Sequence, residues 1–283
     1  MTVVPLDASH REISKVRRVM LLGAARTGSN LLLSLLSRHS AIRTYGELFN
    51  LDSLPHADLV EALDDPIGYL RSRVYRDQRP EIEAVVFKMF YDHLTQDYFD
   101  KLVDVSDASQ EVLQRFRQFS SFVETHYEPA TLQRRFRDAW DFLIADRSLA
   151  VIHLRRRNSL DSLISLKTAY MTKQWWSLRG DAVQPTIHID PDECRRYFDK
   201  LETFADAADA AFAGHERLDV SYEELIEKRD DVLLKVFGFL KLPYEPVSTR
   251  MKKQSTAPAC ARIDNYRELK QCFEHSKWSA FFE

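Results

Sequence analysis

Residues Val19 to Asn30 read VMLLGAARTGSN: an apolar run, a compact loop bracketed by Gly23 and Gly28, and the start of a leucine-rich stretch. This is the order strand, phosphate-sized turn, helix N-terminus. The first N–H groups of a helix lack intrahelical acceptors and the helix dipole adds partial positive charge, so the junction can hold an anion without a metal. Phosphate or sulfate is the expected guest. A nucleoside-triphosphate loop, G-x-x-x-x-G-K-[ST], carries Lys directly after its second glycine and then a hydroxyl for Mg²⁺. Here Ser29 and Asn30 follow Gly28, and the cation sits before it, at Arg26. The loop therefore suits a phosphate without triphosphate chemistry. Two glycines at a strand–helix junction would equally serve a tight connection, so a second site must carry the argument.

That site follows the apolar run Leu149 to Leu154 (LAVIHL), which leads into Arg155, Arg156 and Arg157 and then a helical pattern from Asn158. Asn158 is an N-cap candidate; Leu160, Leu163, Ile164 and Lys167 share one side, with Ser165 just off that stripe. A helix beginning at Asn158 puts Ser165 about two turns along, where its hydroxyl meets an anion also gripped by the guanidinium fork of Arg157. The alternative is a solvated basic turn followed by an ordinary helix serine.

Strands alternating with helices position these residues. Beyond the two apolar runs, Ala84 to Phe90 (AVVFKMF) and Arg217 to Val220 read as strands, and Ser29 to about His39 and Asp190 to Phe212 as helices, the latter with Pro191 at its first position. Ser221 and Glu224 form an S-x-x-E capping box. Residues 41–80 read as loops and short helices. From about Leu94 to Ala145, Val112, Phe116, Phe119, Val123, Leu132, Phe136, Ala139, Trp140 and Leu143 recur at helical spacing, which predicts a helical insertion. The expected fold is α/β: a P-loop-like, mainly parallel sheet flanked by helices, with sites at the strand C-terminal ends, where Arg26 and Arg157 both fall. With 283 residues and 45% hydrophobic content, we expect one domain over 1–283.

The two motifs together resemble the PAPS-dependent sulfotransferases (PAPS, 3′-phosphoadenosine 5′-phosphosulfate). The family's 5′-phosphosulfate loop, in its bacterial branch, is P-R-T-G-S-x-x-L, and Ala25-Arg26-Thr27-Gly28-Ser29-Asn30-Leu31-Leu32 changes only the proline. Its 3′-phosphate element, R-[ND]-P-x-x-x-x-x-S, is matched by Arg157-Asn158 and Ser165, with Ser159 in place of proline. Arg217 to Pro243 is similar to the family's strand, Y-E-D-L turn, helix and L-x-L-P segment, so the resemblance spans most of the chain. The nearest likeness is to bacterial carbohydrate and glycolipid enzymes of the trehalose and Nod-factor type. Animal members place a catalytic His in K-x-H at a strand end, where this chain has Lys88-Met89-Phe90; the bacterial branch uses a Glu shortly after the first helix, and Gly46-Glu47-Leu48-Phe49 stands there.

The resemblance implies PAPS as sulfuryl donor and a carbohydrate or glycolipid hydroxyl as acceptor. Thr27, Gly28, Ser29 and Asn30 would hold the 5′-phosphosulfate, Arg157 and Ser165 the 3′-phosphate, and Arg26 with Lys88 would offset charge on the bridging oxygen. Glu47 would be the base, with His93 as the substitute. Trp175 and Trp176 would stack on a sugar or form a buried pair. Lys252-Lys253-Gln254-Ser255 and Ile263-Asp264-Asn265-Tyr266 are similar to a segment that closes over the nucleotide, although the animal R-K-G-x-x-G signature is missing. The rival readings are a P-loop nucleotide kinase and a non-catalytic phosphate-binding protein of the same fold.

Composition narrows the rest. Forty basic and 43 acidic residues leave a net charge of −3, so no global field favours nucleic acid or an anionic membrane. Cys194, Cys260 and Cys272 fit neither a disulfide framework nor a thiol metal site, and the nine histidines show no ligand spacing, so no catalytic metal is expected. No apolar run approaches the roughly 18 residues of a membrane span, and Met1 to Arg18 lacks the apolar core of a secretory signal. A cytoplasmic protein is expected, and a homodimer is left open.

Overall fold

A computed structural model describes residues 16–176, 185–251 and 257–283. The run before the first glycine is β1 (Arg17–Gly23), followed by α1 (Ser29–Leu36) and β2 (Ile42–Glu47). Helices α2 (His56–Asp64) and α3 (Pro66–Leu70) precede β3 (Ala84–Phe90), and α4 (Gln96–Asp100), α5 (Gln110–His126) and α6 (Pro129–Ala145) separate it from β4 (Ala150–Arg155). Next come α7 (Ser159–Thr172), α8 (Pro191–Ala211), β5 (Arg217–Ser221), α9 (Tyr222–Glu227) and α10 (Arg229–Leu240). Short α11 (Ala259–Arg262) and α12 (Tyr266–Phe273) follow. Among the described residues no helix is long and apolar enough to cross a membrane.

The sheet order is β2-β3-β1-β4-β5, parallel at every pair. Alternation along the strands divides the core between its two faces. Val19, Leu21, Ala84, Val86, Ile152 and Leu154 pack with the leucines of α1 and the apolar face of α10. Met20, Leu22, Val85, Phe87, Met89 and Val151 meet α2, α3, α5 and α6 on the other face. Strands buried on both faces read as continuous apolar runs, which is why β1, β3 and β4 were legible.

β2 corrects the sequence reading, which placed only loops and short helices over 41–80. It is an edge strand in which Ile42 is the only buried residue, so it carries no apolar run. It also carries a bulge. Tyr45 pairs with Phe87 but Glu47 pairs with Lys88, leaving Gly46 as the extra residue. Unbroken alternation would put Glu47 on the face of Tyr45 and Phe87; the bulge turns it to the face of Lys88.

A third apolar cluster sits around α7 and α8, joined by α12 and the aromatic residues Trp278 and Phe282. The tail is fixed there by backbone pairing: Ile187 bridges Ile263, and the Asp264 N–H donates to the Ile187 carbonyl at 3.0 Å. Both Asn265 amide groups bond the backbone of Ile189. This pairing carries Arg262 to the C-terminal end of the sheet. Lys252 to Ser255 and Ser177 to Arg179 lie outside the described residues.

Candidate active site

A cavity of about 600 Å³ opens at the C-terminal end of the sheet. Its first wall is the loop after β1. Gly23 packs so closely that a Cβ would lie 2.4 Å from the Leu154 carbonyl oxygen, and Gly28, at φ 88°, leaves room for the Tyr222 ring 2.5 Å from where a Cβ would stand. Both glycines are therefore steric requirements. Gly28 is the N-cap of α1, which has neither a side-chain cap nor an acidic residue in its first turn. By contrast, the Asn158 side chain caps α7 by accepting from the Asp161 N–H at 3.1 Å. The first-turn amides of α1 are thus left for an anion.

Arg26 adopts φ 66°, a left-handed conformation that is uncommon for a non-glycine residue. Its Nε donates to Ser165 Oγ at 2.9 Å and its Nη1 to the Trp175 carbonyl at 2.6 Å, with the guanidinium 6.0 Å from the Trp175 ring. The loop is thereby clasped to α7. Burial, and then the neighbouring Arg156, lower the Arg26 pKa to about 10, so it remains a cation at neutral pH. Thr27 does not face the cavity: its hydroxyl donates to the Ala24 carbonyl at 2.8 Å and braces the turn.

Three arginines in a row end β4, and the structure distinguishes them. Arg155 turns to Asp209, away from the cavity. Arg156 lines the cavity with its side chain only 8% exposed, donating to Asp161 at 2.7 Å and lying 4.6 Å from the Tyr222 ring. Arg157, the residue assigned from spacing, is 64% exposed and pairs with Glu224 at 3.0 Å, while its backbone N–H donates to Glu223. This corrects the placement of Arg157: the acidic start of α9 holds it outside, and the adjacent residue points inward. Ser165 lines the cavity, as do Gly28, Ser29 and Asn30.

Arg262 completes this half. Its Nη2 donates to Thr168 Oγ1 at 3.3 Å, one turn along α7 from Ser165, and burial lowers its pKa. The buried Nε atoms of Arg156 and Arg262 have no hydrogen-bond partner among the described residues. Asp161 pairs with Arg156 and acts on Arg262, while the Arg156 charge acts on Arg26 more strongly than Glu47 does, so positive charge is in surplus in this half. The set fits phosphate groups.

The other half is built around Glu47. Lys88, 3% exposed near the C-terminal end of the interior strand β3, pairs with Glu47 Oε1 at 2.6 Å and donates to Asn30 Oδ1 at 2.5 Å. Asn30 belongs to α1, so this chain of contacts ties the anion loop to the carboxylate. Glu47 lines the cavity, 21% exposed, and its Oε2 accepts no hydrogen bond from the described residues. His93 also lines it, but burial and the Lys88 charge lower its pKa to about 3. Its Nδ1 accepts from the Phe90 N–H at 3.2 Å, which assigns the proton of the neutral ring to Nε2. His93 is therefore neutral at pH 7, with its Nδ1 lone pair engaged by the Phe90 N–H and its Nε2 carrying the proton.

A sequence model of the sulfotransferase family matches residues 18–246, a span that contains the β1 loop, Glu47, Lys88, Arg156 and Ser165. The chain belongs to the sulfotransferase family. It is therefore a sulfotransferase enzyme. Among curated proteins it is similar to Nodulation protein H of Rhizobium tropici, 26% identical over 273 residues, covering 93% of this chain and 92% of that protein. It is 30% identical over 145 residues to Nodulation protein H of Rhizobium meliloti (strain 1021), covering 50% of this chain and 59% of that one. A crystal structure of a sulfotransferase from Alicyclobacillus acidocaldarius aligns with 93% of this chain and 94% of its own, at TM-score 0.44 and 14% identity.

Sequence reasoning missed Arg156, Arg262, Tyr222 and Asp92 in this enzyme's cavity. Asp92 had a signal, lying two residues beyond a strand end on the side where α/β sheets bind ligands; Tyr222 opens the Y-E-D-L-like turn and Arg262 precedes the Ile263–Tyr266 segment, but neither position was assigned. Elsewhere, His153, Asp209 and Asp219 converge within metal-ligand distance, but Arg155 and Arg217 already pair with both carboxylates.

Proposed function

We propose that this sulfotransferase moves a sulfuryl group from PAPS to a hydroxyl of a carbohydrate or glycolipid, with Glu47 as general base. The observation that carries the reading is how one cavity is lined: an uncapped helix N-terminus and a surplus of guanidinium groups at one end, a carboxylate facing the cavity at the other, and Asn30–Lys88 between them.

Sulfuryl transfer resembles phosphoryl transfer in its loose, in-line transition state, so positioning and electrostatics dominate. The α1 amides with Ser29 and Asn30 hold the 5′-phosphosulfate. Arg26 balances negative charge on the bridging oxygen as the S–O bond to the 5′-phosphate breaks. Glu47 takes the proton of the acceptor hydroxyl as its oxygen bonds to sulfur, and Lys88 fixes the carboxylate in place. Arg156, Arg262 and Ser165 bind the 3′-phosphate; the family likeness gave this role to Arg157, and the cavity lining supports its neighbour. The acceptor class rests on the likeness to the bacterial carbohydrate branch and on the aromatic lining of Phe90, Tyr98, Phe116, Tyr170 and Trp175, because ring faces suit the apolar faces of sugars.

The first test is thermal. 3′-Phosphoadenosine 5′-phosphate at about 100 times its Kd stabilises by about 2.7 kcal/mol, a shift of several degrees in Tm, while Mg·ATP at the same concentration has little effect. A larger shift with Mg·ATP would favour the kinase reading. Labelled PAPS is then offered with a saccharide panel that includes trehalose and chitotetraose, and sulfated product is sought by mass spectrometry.

A further inference from the structure

Among the described residues three carboxylates line the cavity: Glu47, Asp52 and Asp92. Two are neutralised by the protein. Glu47 has Lys88 at 2.6 Å, and Asp52 has Lys101 at 3.2 Å and Arg115 at 3.6 Å. Asp92 has no cation within ion-pairing distance among the described residues; its carboxylate bonds only its own backbone N–H. Its position is nonetheless fixed. Tyr91 N–H donates to the Gly23 carbonyl at 3.1 Å, His93 N–H to the Phe90 carbonyl at 3.1 Å, and Thr95 Oγ1 to the Asp92 carbonyl at 2.7 Å, so the turn after β3 is held on both sides of Asp92.

An enclosed carboxylate with no cation and a single backbone hydrogen bond is costly unless a ligand supplies further donors. The ligand groups that meet it cannot be the phosphates or the sulfuryl group, because like charges repel. They must donate hydrogen bonds. The strand ends carrying Asp92 and Glu47 are neighbours, β3 and β2, so donors at Asp92 lie on the side of the acceptor. The rings of Tyr98, Phe116, Tyr170 and Trp175 line the cavity, with Phe116 edge-on to Tyr170 and Tyr170 edge-on to Trp175.

We propose that Asp92 is an acceptor-binding residue whose carboxylate accepts hydrogen bonds from two neighbouring hydroxyls of a sugar ring, beside the hydroxyl that Glu47 deprotonates. This rests on the carbohydrate reading above. Burial raises the Asp92 pKa to about 6, a displacement that Lys101 opposes and Glu47 and Asp97 reinforce. The other titratable groups facing it are Tyr98 from α4, Tyr170 from α7 and Tyr197 from α8, all with pKa values raised by burial and therefore neutral near that pH. Acceptor affinity should accordingly be full above pH 6 and fall as the pH drops through it.

The test uses the full-length enzyme and whichever saccharide of the panel it sulfates fastest. Asp92→Asn is expected to raise the acceptor KM about 10- to 100-fold, with kcat within about threefold and the 3′-phosphoadenosine 5′-phosphate Tm shift unchanged. Wild-type KM rises between pH 7 and 5, and the variant KM does not. In a monodeoxy series of the same sugar on the wild-type enzyme, at least one position next to the sulfated hydroxyl loses a similar factor. A KM within twofold of wild type in Asp92→Asn, a loss in kcat alone, or no affected position in the deoxy series overturns the assignment of Asp92 while leaving the carbohydrate reading in place. Failure of the wild type to sulfate any saccharide overturns both.

Discussion

Arg156 and Arg157 are adjacent in sequence and opposite in environment, and their alanine variants should differ accordingly. Arg156 is enclosed, while among the described residues its Nε is unpartnered and its one acidic partner, Asp161, is 38% exposed. Removing a charge-assisted bond to a phosphate costs about 1.5–3 kcal/mol, which is a 10- to 150-fold weaker Kd. The fold should lose at most about 1 kcal/mol, because Asp161 can be re-solvated. Arg26 does not confuse the result: Arg156 helps lower its pKa to about 10, so relieving that repulsion leaves it protonated at pH 7.5 as before. The Arg157 guanidinium and Glu224 are 64% and 43% exposed, and such a pair contributes so little that Arg157→Ala should change Kd by about twofold or less. Isothermal titration with 3′-phosphoadenosine 5′-phosphate and with adenosine 5′-phosphosulfate, which lacks the 3′-phosphate, separates the cases. Arg156→Ala should lose far more affinity for the first nucleotide than for the second. Equal losses on both, or a larger loss in Arg157→Ala, would refute the assignment.

Two further outcomes follow from the same geometry. Gly46→Ala should leave turnover and Tm close to wild type because nothing lies within 4 Å of the new Cβ, whereas Gly28→Ala, at φ 88° and 2.5 Å from the Tyr222 ring, should lower stability by at least about 1–3 kcal/mol in denaturant melts and weaken nucleotide binding. His93→Asn, whose amide oxygen can replace Nδ1 as acceptor for the Phe90 N–H, should keep turnover within about tenfold in a labelled-PAPS assay, and near-complete loss would return the base role to His93.

What could be read from the sequence was local. Arg26, Gly28, Ser29 and Asn30 occupy one strand–turn–helix unit, and Ser165 stands two turns into a helix whose cap, Asn158, was also legible, so spacing alone brought them near the cavity. One arm of the Ser221–Glu224 box forms, the Glu224 N–H donating to Ser221 Oγ at 3.2 Å, while the Glu224 carboxylate pairs with Arg157. β2 was hidden because an edge strand with a single buried residue carries no apolar run, and the Gly46 bulge that turns Glu47 toward Lys88 has no composition signal. Three consecutive arginines cannot be ranked without knowing that Glu223 and Glu224 sit against the third. Arg262 depends on a bridge between Ile187 and Ile263, a pairing across 76 residues that no local pattern encodes.

The central claim is that proton removal by Glu47 drives transfer from PAPS. Its most direct test is Glu47→Gln, which keeps the size of the side chain and removes its basicity, assayed with ³⁵S-labelled PAPS and the saccharide acceptor alongside nucleotide titration. The expected result is unchanged 3′-phosphoadenosine 5′-phosphate affinity with turnover lowered about 10²- to 10⁴-fold, the usual contribution of a positioned base. Near-normal turnover in Glu47→Gln would contradict the claim.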